Sequence, residues 1–131
     1  MADTERDLDM PPHAQYPELF SPLRLGPVEL KNRATMAAHG MRLGDDSGVI
    51  SPRHQAYIVA RAKGGASLVS ASSLPVHPTS QTFAGLQIRT AGDDLLPSLA
   101  ATADSVHAAG SKLAVTLWHG GYKVTWLAGR A

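Results

Sequence analysis

The sequence contains no cysteine, so its 131 residues offer no disulfide framework, no thiolate nucleophile and no iron–sulfur ligand. It also lacks a bias of charge. Lys and Arg number 12 against 11 Asp and Glu, and no basic stripe or run of like charge stands out, so neither nucleic acid nor an anionic membrane surface is an expected partner. A secretory h-region is missing as well: Met1 to Asp9 is polar and carries Asp3, Glu5, Asp7 and Asp9. No run approaches the ~18 apolar residues of a membrane span. Together these absences predict a soluble, cytoplasmic protein, and its length allows a complete domain without proving one.

What is present reads as an alternation of strands and helices. Residues 1–17 carry charges, Pro11, Pro12 and Pro17 but little apolar periodicity, which predicts a mobile leader. Leu23, Leu25, Val28 and Leu30 alternate with Arg24 and Glu29 around Gly26-Pro27, which predicts a hairpin with one buried face. Ala34 to Ala38 follows as an apolar strand. Ser51-Pro52 supplies an N-cap and a first-turn proline for a helix that closes at Gly64-Gly65. Ala66 to Ala71 reads as a second strand, and Ser72 to Gly92 as a long loop with Pro75, Pro78 and Gly85. Asp93 or Asp94 is placed to cap the next helix, which Gly110 stops, and Lys112 to Trp118 reads as a third strand.

The order hairpin, β, α, β, α, β predicts an α/β fold with parallel strands. Ligands in such folds sit at the carboxyl ends of the strands, so Ala37 to Gly40, Ser70 to Ser72 and Thr116 to Gly121 are expected to line one pocket. That set offers small residues, hydroxyls, His39 and His119, with no strand-end carboxylate. Metal and paired-carboxylate chemistry are therefore poorly supported, and the H-x-H pair expected of a metal barrel built on His39, His77 and His119 is missing. His119-Gly120-Gly121 suits an esterase oxyanion loop, but no G-x-S-x-G elbow accompanies it. Gly64-Gly65 precedes a strand, the wrong context for a dinucleotide fingerprint. His13, His54 and His107 read as surface or helix-face residues.

Six stretches, taken in order, carry a resemblance: Leu19-Phe20-Ser21-Pro22-Leu23, Leu30-Lys31-Asn32-Arg33, Met36-Ala37-Ala38-His39, Arg61-Ala62-Lys63-Gly64-Gly65-Ala66, Val106-His107-Ala108-Ala109-Gly110 and Leu117-Trp118-His119-Gly120-Gly121. From Pro17 to about Tyr122 the chain resembles the N-terminal third of the old yellow enzyme family, flavoproteins that include the dienoyl-coenzyme A reductases and the trimethylamine dehydrogenase type. The resemblance implies an FMN-binding (β/α)8 TIM barrel beginning at residue 18, with the hairpin closing its bottom and three of eight strands in these residues. It implies an NADH:flavin oxidoreductase that moves a hydride through flavin N5, from NAD(P)H to an electron-poor alkene or from an amine C–H bond to the flavin. Iron–sulfur and FAD cofactors belong only to longer members, and the partner is a small-molecule substrate. Read as a truncated barrel, the fragment is expected to be inactive, colourless and poorly soluble. A non-catalytic product, and a flavin-free barrel acting on a phosphorylated metabolite, are the alternatives.

Site residues follow from the resemblance position by position. Ala37, Ala38, His39 and Gly40 match the segment beneath the isoalloxazine, although relatives often have proline, then methionine or leucine, then threonine or cysteine at the last three. Ala71 matches a small residue that lets the ring approach, and core packing explains it equally well. Thr116 stands where relatives have a glutamine on the pyrimidine edge. His119 is common in the family, while Tyr122 replaces an arginine. The His39-Gly40 variant is similar to the amine dehydrogenase and dienoyl reductase side of the family. His39 either bonds the flavin or substrate or is a satisfied structural histidine, and with His119 it is a candidate contributor to catalysis.

Overall fold

The computed structural model describes residues 12–80, 88 and 92–122. Two one-turn helices, α1 (Pro12–Gln15) and α2 (Pro17–Phe20), precede the hairpin strands β1 (Leu23–Leu25) and β2 (Val28–Leu30). A short strand β3 (Thr35–Met36) then leads through a loop to α3 (Pro52–Lys63), β4 (Leu68–Pro75), α4 (Leu96–Ala108) and β5 (Lys112–Trp118). Residues 1–11 of the predicted leader, most of the stretch from 81 to 91, and 123–131 lie outside the described residues.

The hairpin pairs Leu23 with Leu30 and Leu25 with Val28 across a two-residue turn whose first central position, Gly26, has φ +57°. Such turns need positive φ there, which glycine alone adopts without strain. The predicted buried face is not found: Leu25 and Val28 are exposed and only Leu30 is buried. What holds the hairpin is polar. Asn32 Nδ2 donates to the Gly65 carbonyl at 2.9 Å, and the Arg33 N–H donates to the Leu19 carbonyl at 2.9 Å. Those bonds fasten it beside the amino ends of the parallel strands.

α3 starts where its sequence says it should. Ser51 is extended, its Oγ accepts from the His54 N–H at 3.1 Å, and Pro52 occupies the first turn. Arg61 and Lys63 lie in the last turn, where their charge suits the helix dipole. α4 begins differently from expectation. Neither Asp93 nor Asp94 caps it with a side chain; Asp93–Leu95 forms a 3-10 turn that runs straight into the helix.

β3, β4 and β5 form a parallel sheet with β4 in the centre. β3 is shorter than the predicted strand, and β4 is longer, running four residues into the predicted loop. The register aligns Met36, Val69 and Leu113, and all three pack against Ile58 and Ala62 of α3 and Val106 of α4. One face of the sheet is therefore sealed by the helices, as parallel strands require. Between Ala71 and Ser73 the register slips by one residue, after which Leu74 joins a second core with Ile50, Ile88 and Leu95. Ser70, Ala114 and Thr116 belong to the opposite face, where Ser70 is buried and the other two are half-buried.

Candidate functional site

β3 ends at Met36, and Ala37, Ala38, His39 and Gly40 continue from its carboxyl end as exposed extended chain. The side chains of Ala37, Ala38 and Gly40 add almost nothing above the backbone. Ser72, the residue skipped by the register slip, donates from Oγ to the His39 carbonyl at 3.4 Å and ties this stretch to β4.

The His39 ring lies toward α3. Its Nδ1 is 3.0 Å from the Ala37 carbonyl oxygen, which can only accept, so the ring proton sits on Nδ1. Nε2 is left to accept from the Tyr57 hydroxyl at 3.2 Å, and the two rings meet edge-on with centroids 5.9 Å apart. The Arg61 guanidinium covers the Tyr57 ring at 3.3 Å. Both nitrogens of His39 are thus engaged within the chain, the geometry of a structural histidine.

Ala71 and Thr116 do not share a face. The Ala71 side chain is 0% exposed in the helix-side core, so it meets a ligand on the Thr116 side only through its backbone. Thr116 Oγ1 lies 3.4 Å from Ser70 Oγ, whose own proton goes to the Ala71 carbonyl at 3.1 Å. Thr116 is therefore the donor to Ser70, and what it presents outward is acceptor lone pairs.

A second polar cluster joins the ends of β4 and β5. Thr79, in a 3-10 turn at Pro78–Ser80, lies between His77 and His119: its Oγ1 is 2.8 Å from His77 Nδ1 and 3.4 Å from His119 Nε2. Backbone N–H groups of Thr79 and Gly121 donate to Nδ1 of His77 and His119 at 3.2 and 3.0 Å. Tyr122 is exposed beside them. Among the described residues no group of three or more His, Cys, Asp or Glu could hold a metal ion. No described helix is long and apolar enough to cross a membrane.

His54, expected as a surface or helix-face residue, is on a helix face, and that face is the buried one. It lies on the sheet-facing side of α3 at 2% exposure, and neither ring nitrogen has a hydrogen-bond partner. Burial, and then the charge of His39, hold its pKa below the ordinary histidine value of 6.5. A cavity of about 640 Å³ opens at the other end of the sheet, among Phe20, Asn32, Thr35, Arg61 and Gly65. Met36, the last residue of β3, also lines it, but it contains none of the predicted site residues.

Sequence reasoning missed Tyr57 and Thr79 as parts of these clusters, whereas Ser70 to Ser72 were expected at the pocket. Only Thr79 left a signal, the His-x-Thr spacing of His77-Pro78-Thr79.

Comparison with known proteins places this geometry. A family model described as NADH:flavin oxidoreductase / NADH oxidase matches residues 18–128. The chain is 30% identical over 110 residues to an NADH oxidase of Thermoanaerobacter brockii, covering 84% of this chain and 17% of that protein. It is 29% identical over 112 residues to an N,N-dimethylglycine/sarcosine dehydrogenase of Chromohalobacter salexigens, covering 85% and 16%. An NADPH dehydrogenase of Listeria welshimeri is 31% identical over 107 residues, covering 81% and 31%. Among solved structures, a 2-naphthoyl-CoA reductase complex superposes with a TM-score of 0.76 at 26% identity, over 86% of this chain and 17% of that one. A morphinone reductase variant bound to tetrahydroNAD gives 0.72 at 31% identity, over 82% and 28%. The chain therefore spans less than a third of these relatives. Old yellow enzyme structures share the same fold, and β3, β4 and β5 correspond to part of a TIM barrel, an unclosed three-stranded arc of it.

Proposed function

The chain belongs to the NADH:flavin oxidoreductase / NADH oxidase family, and from that membership we propose that its strand ends form the floor of an FMN site in an NAD(P)H-linked oxidoreductase. Bound FMN supplies a carrier that accepts and returns a hydride at N5. The residues suit that ring. Ala37, Ala38 and Gly40 leave bare backbone at the end of β3, against which a flat aromatic system can lie. Thr116 faces the open side of the sheet with acceptor lone pairs, which match the N3–H donor on the pyrimidine edge of a flavin. Ala71 contributes backbone, and His39 holds the floor to α3 rather than bonding the ring.

The single observation that carries the reading is the family match across 18–128, with the small-residue floor and the Thr116 acceptor both at carboxyl strand ends. The domain reading follows from it: residues 18–131 as the N-terminal part of the FMN barrel, after a leader over 1–17. The NADH oxidase and NADPH dehydrogenase relatives favour a reduced nicotinamide as the hydride donor. A second direction, oxidation of an N-methyl amine, is favoured by the likeness to the dimethylglycine/sarcosine dehydrogenase. Three strands enclose one wall only, so the 131-residue chain alone is expected to bind FMN weakly and to turn nothing over.

The test is an FMN titration followed through backbone amide resonances. Shifts confined to Ala37–Gly40 and the end of β5 are the expected result, without retention of yellow colour on gel filtration. Shifts absent from both stretches at millimolar FMN overturn the proposal.

A further inference from the structure

Beside the proposed flavin floor, we propose that His119, Thr79 and His77 form a one-way hydrogen-bond relay whose open end, the Nε2–H of His77, binds an acceptor oxygen of the small-molecule substrate, carboxylate or carbonyl. The direction follows from the backbone. The Gly121 N–H donates to His119 Nδ1, so that nitrogen carries no proton and the neutral ring bears its hydrogen on Nε2. The Thr79 N–H donates to His77 Nδ1 and fixes the same tautomer there. Thr79 Oγ1 must then accept from His119 Nε2–H at 3.4 Å and donate to His77 Nδ1 at 2.8 Å.

Two donors therefore converge on His77 Nδ1, from the amide and the hydroxyl of Thr79. Accepting both draws density from the ring and strengthens the Nε2–H as a donor, because hydrogen bonds in a chain polarise one another. His77 is exposed, and its Nε2 has no partner among the described residues. The rings of His77 and His119 lie 6.3 Å apart, so the hydroxyl between them joins the loops after two neighbouring strands. An outward, polarised N–H at the carboxyl end of β4 is suited to an oxygen that must be held in one orientation. Thr79 and His119 act through His77 and are positioning residues.

This inference rests on the reading of the strand ends as the ligand face, and its test separates the two. In the full chain labelled with ¹⁵N-histidine, long-range ¹H–¹⁵N correlation should show both rings as Nε2–H tautomers. Thr79→Val should perturb the nitrogens of both rings, and Thr79→Ser should restore them. Benzoate and benzamide serve as carboxylate and carbonyl probes. One or both should shift His77 Nε2 and leave His39 unmoved, the responding probe naming the source of the oxygen, with about fivefold weaker binding in Thr79→Val. An Nδ1–H tautomer on either ring, indifference to Thr79→Val, or no His77 response to either probe overturns the relay. FMN added to the same sample reports on Ala37–Gly40, so failure of the flavin reading shows there while the His77 signals stand or fall independently.

Discussion

The Nε2 of His39 accepts a hydrogen bond from the Tyr57 hydroxyl at 3.2 Å, so the histidine at the edge of the proposed flavin floor is braced from the helix layer. Tyr57→Phe keeps the ring beneath Arg61 and removes only that bond. We expect a loss of about 0.5 kcal/mol in urea unfolding, the low end for one hydrogen bond because His39 is exposed. His39→Ala should leave the FMN response of the β5 end intact; its disappearance would return His39 to the ligand.

Thr116 is the proposed acceptor for the pyrimidine edge of the flavin. Thr116→Val is nearly the same size and has none, so FMN affinity should fall about fivefold, while Thr116→Ser should retain it. Titration of both variants against the parent chain decides the point.

His54 gives the fold a pH dependence of definite sign. Its folded pKa lies below 6.5, so the unfolded chain takes up the proton first as pH falls. Its contribution is constant above about 6.5 and becomes progressively destabilising as pH drops from there toward the folded value. His54→Leu should flatten that limb of the stability profile measured by urea unfolding at a series of pH values. It should also stabilise the chain at neutral pH by about 1 kcal/mol, because two buried, unpaired nitrogens disappear.

Ser51 bonds in two directions, accepting from the His54 N–H and donating to the Leu43 carbonyl. Ser51→Ala loses both and should cost about 1–2 kcal/mol. Ser51→Asp keeps the cap but not the donor and should recover part of the loss, read as midpoints of thermal unfolding.

The elements that were legible in the sequence are those with local signals. α3 announced itself through Ser51-Pro52 and Gly64, and β5 through its unbroken Lys112–Trp118 run. The extension of β4 over Ser72-Ser73-Leu74-Pro75 was not legible, because its composition is that of a loop and its strand character comes from pairing with β5 some 40 residues away. The inward turn of His54 was hidden for a related reason: helical spacing placed it near the buried face, but a polar residue there contradicts the pattern. At the proposed site, the small residues and Thr116 were named by their position at strand ends. Contacts such as Thr79 to His119 depend on two loops meeting in space, and no local pattern encodes them.

The register slip at Ser72 is a change of phase in β4. Upstream, odd-numbered Val69 and Ala71 face the helices; downstream, even-numbered Leu74 does. Were β4 to pair with β5 without the slip, Leu74 would turn to the opposite face and Ser73 into an apolar core, whereas deleting Ser72 removes the bulge and leaves both residues on the faces they now occupy. One extra residue thus sets the phase of the strand's last three residues, and its removal should cost the Ser72–His39 bond while leaving both apolar cores in place.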